Sequence, residues 1–192
     1  GVYALDGTVF DPVLGNQSVR KINDKGCASG YSVVHVNNNV IIYLGTDGKV
    51  YQFNRVESKP ISQMIHTTIL GYAGARYQYA KAVFAPKYNE YRITFATTAA
   101  THNRILCYNT DTGSWFIKTL TSNMDCIAVV RDSSTDLPVI LAGGNSTGLI
   151  YRWDDDGTTN YTSDNTTAIN SYYITAWTNL GTPVFKLVRR LY

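Results

Sequence analysis

Four times along the chain a glycine in a polar turn introduces a short strand that carries an aromatic ring. Gly7 precedes Thr-Val-Phe-Asp, Gly48 precedes Lys-Val-Tyr-Gln-Phe, Gly113 precedes Ser-Trp-Phe-Ile-Lys and Gly148 precedes Leu-Ile-Tyr-Arg-Trp. Tight hairpin turns need positive φ, which glycine adopts without a Cβ clash. A lone hairpin leaves an apolar face in water, so units of this kind must pack on one another. The four glycines are separated by 41, 65 and 35 residues. Propeller blades repeat at roughly 40–50 residues, so two intervals fit and one holds an insertion or a skipped unit.

The clearest unit is residues 33–55, in which Thr46-Asp47-Gly48-Lys49 turns between alternating apolar strands. Before it, strands are expected near residues 3–10 and 18–22. A second unit occupies residues 80–118, with turns at 88–91 and 109–113, and a third occupies 126–153 with a turn through Asp136. Residues 172–177 and 184–191 read as a last strand pair. If the array closes, 184–191 should pair with the first strand. Pro60 lacks an N–H and should interrupt the sheet at 58–62. Residues 62–70 are the one helix candidate, with Ser62 as its cap. Nearly every segment has period two or is a short apolar run between turn residues, which predicts an all-β chain. The expected architecture is a β-propeller or partial propeller of antiparallel blades over residues 1–192, with a β-sandwich as the alternative. Strand-like residues at the very end suggest a processed product or a segment of a longer protein.

Chemistry-bearing motifs are scarce. His35, His66 and His102 stand in no Ser/His/Asp or Cys/His signature, and no Gly-x-Ser-x-Gly occurs. Cys27, Cys107 and Cys126 are three widely spaced cysteines, which points to buried thiols in a reducing compartment rather than disulfides or zinc. Asp154, Asp155 and Asp156 lack the alternating ligand spacing of a calcium loop and read as a solvated turn. Sequons at Asn16, Asn145, Asn160 and Asn165 matter only in a secreted eukaryotic protein. The segment from Asn109 to Trp115 falls out of register with the Asp-box of sialidase propellers. Charged residues make up only 16 % of the chain, against ~25 % in typical soluble domains, and the net charge is +3. That charge is too mild to argue for nucleic acid by itself. There is no apolar run long enough for a membrane span and no signal-peptide pattern. The fifteen tyrosines, among them Tyr43, Tyr51, Tyr91, Tyr151 and Tyr173, suit either packing between sheets or a sugar-binding platform. Lys186, Arg189 and Arg190 form a basic edge on the last strand, a candidate interface or DNA-channel contact.

Several pieces in order resemble the β-propeller tail and head-to-tail proteins of bacteriophages, of the tail-hub, nozzle or stabilisation type. They are Gly26-Cys-Ala-Ser-Gly-Tyr-Ser-Val-Val34 with Ile41-Ile-Tyr-Leu-Gly-Thr-Asp-Gly-Lys-Val-Tyr51, then Lys59-Pro-Ile-Ser62, and Leu106-Cys-Tyr-Asn-Thr-Asp-Thr-Gly-Ser-Trp115. Gly148-Leu-Ile-Tyr-Arg-Trp153, Trp177 and Lys186-Leu-Val-Arg-Arg-Leu191 complete the series. The likeness spans residues 26–192. It departs where Asn109 replaces a frequent Asp and Tyr43 a frequent Trp, and the chain is shorter than most members. The resemblance implies a non-enzymatic virion protein, assembled in the host cytoplasm into a ring around the DNA exit channel. Its partners would be other tail or connector proteins, with transient contact to viral DNA, and it would use no catalytic residues, metal or cofactor. The rival expectation is a carbohydrate-binding or carbohydrate-processing propeller.

Overall fold

Strands follow the turn glycines Gly48, Gly113 and Gly148. The computed structural model describes residues 1–6, 18–37, 39–98, 101–119, 123–144, 148–153, 163–164 and 167–168. Contacts divide the chain into Gly1–Asn160 and Tyr161–Tyr192. In the second unit the described strands are β14 (Ser163–Asp164) and β15 (Thr167–Ala168), which pair antiparallel. The expected strands at 172–177 and 184–191 lie outside the described residues, as do Gly7, Asp154 to Asp156 and all four sequon asparagines.

The first unit is built of antiparallel meanders. β1 (Val2–Asp6) pairs with β2 (Ser18–Asn23). β3 (Val34–Asn37), β4 (Val40–Leu44), β5 (Val50–Phe53) and β6 (Ser58–Pro60) form a four-stranded sheet in chain order. β7 (Ala82–Ala85), β8 (Glu90–Phe95), β9 (Arg104–Asn109) and β10 (Trp115–Thr119) form a second. β11 (Cys126–Arg131), β12 (Pro138–Gly143) and β13 (Ile150–Arg152) form a third. Consecutive up-and-down strands of this kind are the topology of propeller blades. The chain is all-β, and no barrel closes among the described residues.

The three larger sheets pack in series, the second between the first and the third. In β8, Tyr91, Ile93 and Phe95 join Ile42, Leu44 and Val50 of the first sheet in one core. Their cross-strand partners Leu106 and Tyr108 lie in the same core. The alternate residues of β9, Ile105 and Cys107, pack instead with Met124 and Ala142 toward the third sheet, and Val83 and Ala85 pack with Ile140. The second sheet therefore buries both faces, and every residue of β8 is buried. The leading strand β7 lies beside both β3 and β11, so the first strands of successive sheets adjoin. That is how blades meet around an axis.

Three expectations need correction. Residues 58–60 are not a break: β6 pairs with β5 as the outermost strand, where proline's missing N–H faces away from the ladder. Ser62 caps nothing. A 3-10 turn (Gln63–Ile65) leads into the short helix α1 (His66–Leu70), and the Ser62 side chain makes no capping bond to either. It is fully buried and accepts a hydrogen bond from the Val50 N–H at 2.8 Å. Of the three thiols, only Cys107 is buried; Cys27 and Cys126 are free and exposed because they stand before or at the start of strands on the sheet rims.

Candidate interaction surfaces

The second and third sheets each send a tryptophan back onto the sheet before them. Trp115, at the start of β10, lies tilted against the Tyr108 ring at 4.9 Å and donates its Nε1–H to the Ile61 carbonyl at 2.9 Å. Trp153, just after β13, packs with Ile105, Cys107 and Ala142 on one side and Val83, Ala85 and Ile140 on the other. The Arg92 guanidinium lies 5.6 Å and the Lys118 ammonium 5.7 Å from its ring. Arg92 is buried in the middle of β8 and is bound to Glu90 at 2.8 Å. A charge this deep needs such a partner, because desolvating an unpaired ion is expensive.

At the ends where the leading strands begin, Tyr31, Lys81 and Asp125 precede β3, β7 and β11. The Lys81 ammonium lies 5.6 Å from the Tyr31 ring and also donates to the Asp125 carbonyl. His102, 2 % exposed, contacts the Asp125 carboxylate through Nδ1 at 3.1 Å. Its backbone carbonyl accepts from the Met124 N–H, so the loop after β8 and the lead-in to β11 are tied twice. Nε2 of His102 is buried and meets no partner among the described residues. Among the described residues no hydroxyl or thiol nucleophile joins this pair, which acts as a clamp between the second and third sheets.

The far face of the third sheet is different in character. Register puts Ile127 opposite Ala142, both turned toward the second sheet, and Ala128 opposite Leu141 on the other side. On that side a hollow of about 210 Å³ is lined by Cys126, Ala128, Leu141, Gly143 and Ile150 among others. Ile150 is 72 % and Leu149 54 % exposed. Gly143 is small for a reason: a Cβ there would come within 2.8 Å of the Cys126 sulfur.

Among the residues singled out in the sequence, Tyr43, Tyr51 and Tyr91 are core residues. Tyr43 and Tyr51 stack at 5.5 Å, and their hydroxyls bind Ser58 and Asp47. Burial pushes the Tyr51 phenol well above its usual pKa, with the Asp47 hydrogen bond adding to it. Burial does the same to Tyr91, whose hydroxyl donates to the Ser32 carbonyl across the first two sheets. His35 is an exposed residue of β3. Asn109 and Asp111 form a turn: Asn109 Oδ1 accepts from the Asp111 and Thr112 amides, and Asn89 holds Asp111. Lys186, Arg189 and Arg190 lie outside the described residues. The sequence assigned no role to Ser32, His102, Asp125 or the Gly74–Tyr79 turn, although Ser32 falls within the Gly26–Val34 motif. No protein-family model and no curated protein matches the chain.

Proposed function

We propose that this is a non-enzymatic structural protein of a bacteriophage tail or head-to-tail connector, one copy in a ring around the DNA exit channel. The observation that carries the reading is the apolar far face of the third sheet. Sheets in this chain pack by laying one apolar face on the next, and Ala128, Val130 and Ile150 leave such a face exposed. The sequence resemblance over residues 26–192 supplies the setting. Polar strand-end loops on a rigid blade scaffold offer further contact patches to neighbouring virion proteins.

Oligomeric state tests it. Native mass spectrometry should find a closed ring of several copies, and Ala128→Glu with Ile150→Glu should release folded monomers. A protein that stays monomeric at every concentration, or rings indifferent to both substitutions, overturns the reading.

A further inference from the structure

A cleft of about 430 Å³ lies between Ala28 and Thr46 on the rim of the first sheet and Gly74, Ala75, Tyr77 and Gln78 of the connecting segment. Its size suits a single nucleotide or a comparable small group. Two alanines and a glycine line it together with Thr46, Tyr77 and Gln78. The Tyr77 hydroxyl is held by the Ile69 carbonyl at 2.6 Å, so that wall is fixed.

The segments that form the two walls continue into exposed tyrosines, each accompanied by a cation. Beyond Ala28 the chain turns through Gly30–Ser32, where Tyr31 is 71 % exposed with Lys81 5.6 Å from its ring. The opposite wall belongs to the 3-10 turn Gly74–Tyr79, where Tyr79 is 48 % exposed and the Arg76 guanidinium lies 4.5 Å from its ring. Ala80, between Tyr79 and Lys81, is fully buried, and the Lys81 ammonium that approaches Tyr31 also donates to the Asp125 carbonyl. Asp47, next to Thr46, leaves one carboxylate near this rim, its oxygens accepting from the Tyr51 hydroxyl and the Lys49 amide.

We propose that this cleft, with Tyr31 and Tyr79 as stacking platforms and Lys81 and Arg76 as phosphate contacts, binds single-stranded nucleic acid. Exposed aromatic rings beside cations are the arrangement that holds unpaired bases without reading their sequence. Duplex DNA keeps its bases stacked on one another and could use only the two cations. The proposal stands on this cleft alone and does not depend on the assembly reading above.

Fluorescence anisotropy with a labelled oligothymidylate of about 12 nucleotides tests it. Saturable binding should weaken as salt rises, because phosphate contacts release counterions. Tyr31→Ala and Tyr79→Ala should each weaken binding about tenfold, while Tyr31→Phe and Tyr79→Phe retain it, since stacking needs the ring and not the hydroxyl. Both positions are exposed, and unchanged melting temperatures would confirm intact folding. The proposal is overturned if the oligonucleotide fails to saturate at low salt. It is equally overturned if the alanine variants bind as the parent does, or if duplex DNA or polyglutamate competes as well as the single strand.

Discussion

Ser32 and Ser62 do inside the first sheet what water does at its edges. Leu44 and Val50 face each other as a non-hydrogen-bonded pair, because the next bond of the ladder runs from the Gly45 N–H to the Lys49 carbonyl, so their amides point away from each other toward the flanking segments. Ser32 Oγ accepts the first at 3.1 Å and Ser62 Oγ the second at 2.8 Å, both from fully buried positions. Replacing Ser62 with alanine strands a buried N–H, and urea denaturation should show a loss of about 1–3 kcal/mol. Both serines fall in the segments whose pattern resembles the phage proteins, yet their role could not be read there. A serine ahead of a helical stretch looks like a cap until the tertiary fold turns it the other way. The core tyrosines give a second prediction. Tyr51, Tyr72, Tyr77, Tyr91 and Tyr108 are all raised by burial, so their neutral forms are favoured in the folded chain. The stability this contributes is complete below the ordinary tyrosine pKa of about 10 and declines as pH rises toward the folded values. Tyrosinate absorbance should therefore show exposed rings ionising first and the core rings only as the protein unfolds.

Among the elements, turns were the most legible. Gly48, Gly113 and Gly148 all have positive φ, as a hairpin glycine should. At Gly48 the constraint is double: φ is +76° and the Tyr77 ring would lie 3.0 Å from an added Cβ. Gly48→Ala should cost about 1–3 kcal/mol by chemical denaturation. The connector between the first two sheets was much less legible, because its 3-10 turns and five-residue helix are too short to print a 3.6-residue period. β8 was legible as a strand but not as a strand buried on both faces, since Glu90, Arg92 and Thr94 look like a wet side. They are instead a buried polar row against the third sheet, with Arg92 paired to Glu90 and close to the Trp153 and Tyr88 rings. Arg92→Met alone leaves Glu90 without that pair and should destabilise by about 3–5 kcal/mol. Adding Glu90→Gln should recover part of the loss, and a double-mutant cycle measures the coupling.

Across the first unit, burial is graded from the middle sheet outward. Both faces of the second sheet are covered, whereas most of β11 is exposed. Hydrogen exchange should be slowest at the amides of β8 and β9 and faster by orders of magnitude along β11, and uniform protection would contradict the stacking described. The alternation visible in the sequence identifies which residues share a face, but not which face meets a neighbour. That depends on contacts between sheets distant in sequence. The meander topology has one more consequence, which concerns synthesis. Every strand in the three larger sheets pairs with its immediate predecessor or successor, so the partners of any strand emerge from the ribosome within a few dozen residues of it. Short-range pairing lowers the loop-closure cost of each sheet. The first sheet can thus be complete before the second is made, and it presents a formed apolar face on which Tyr91, Ile93 and Phe95 land as they appear. Building the molecule in reading order keeps the interval during which any sheet face is bare as short as translation allows.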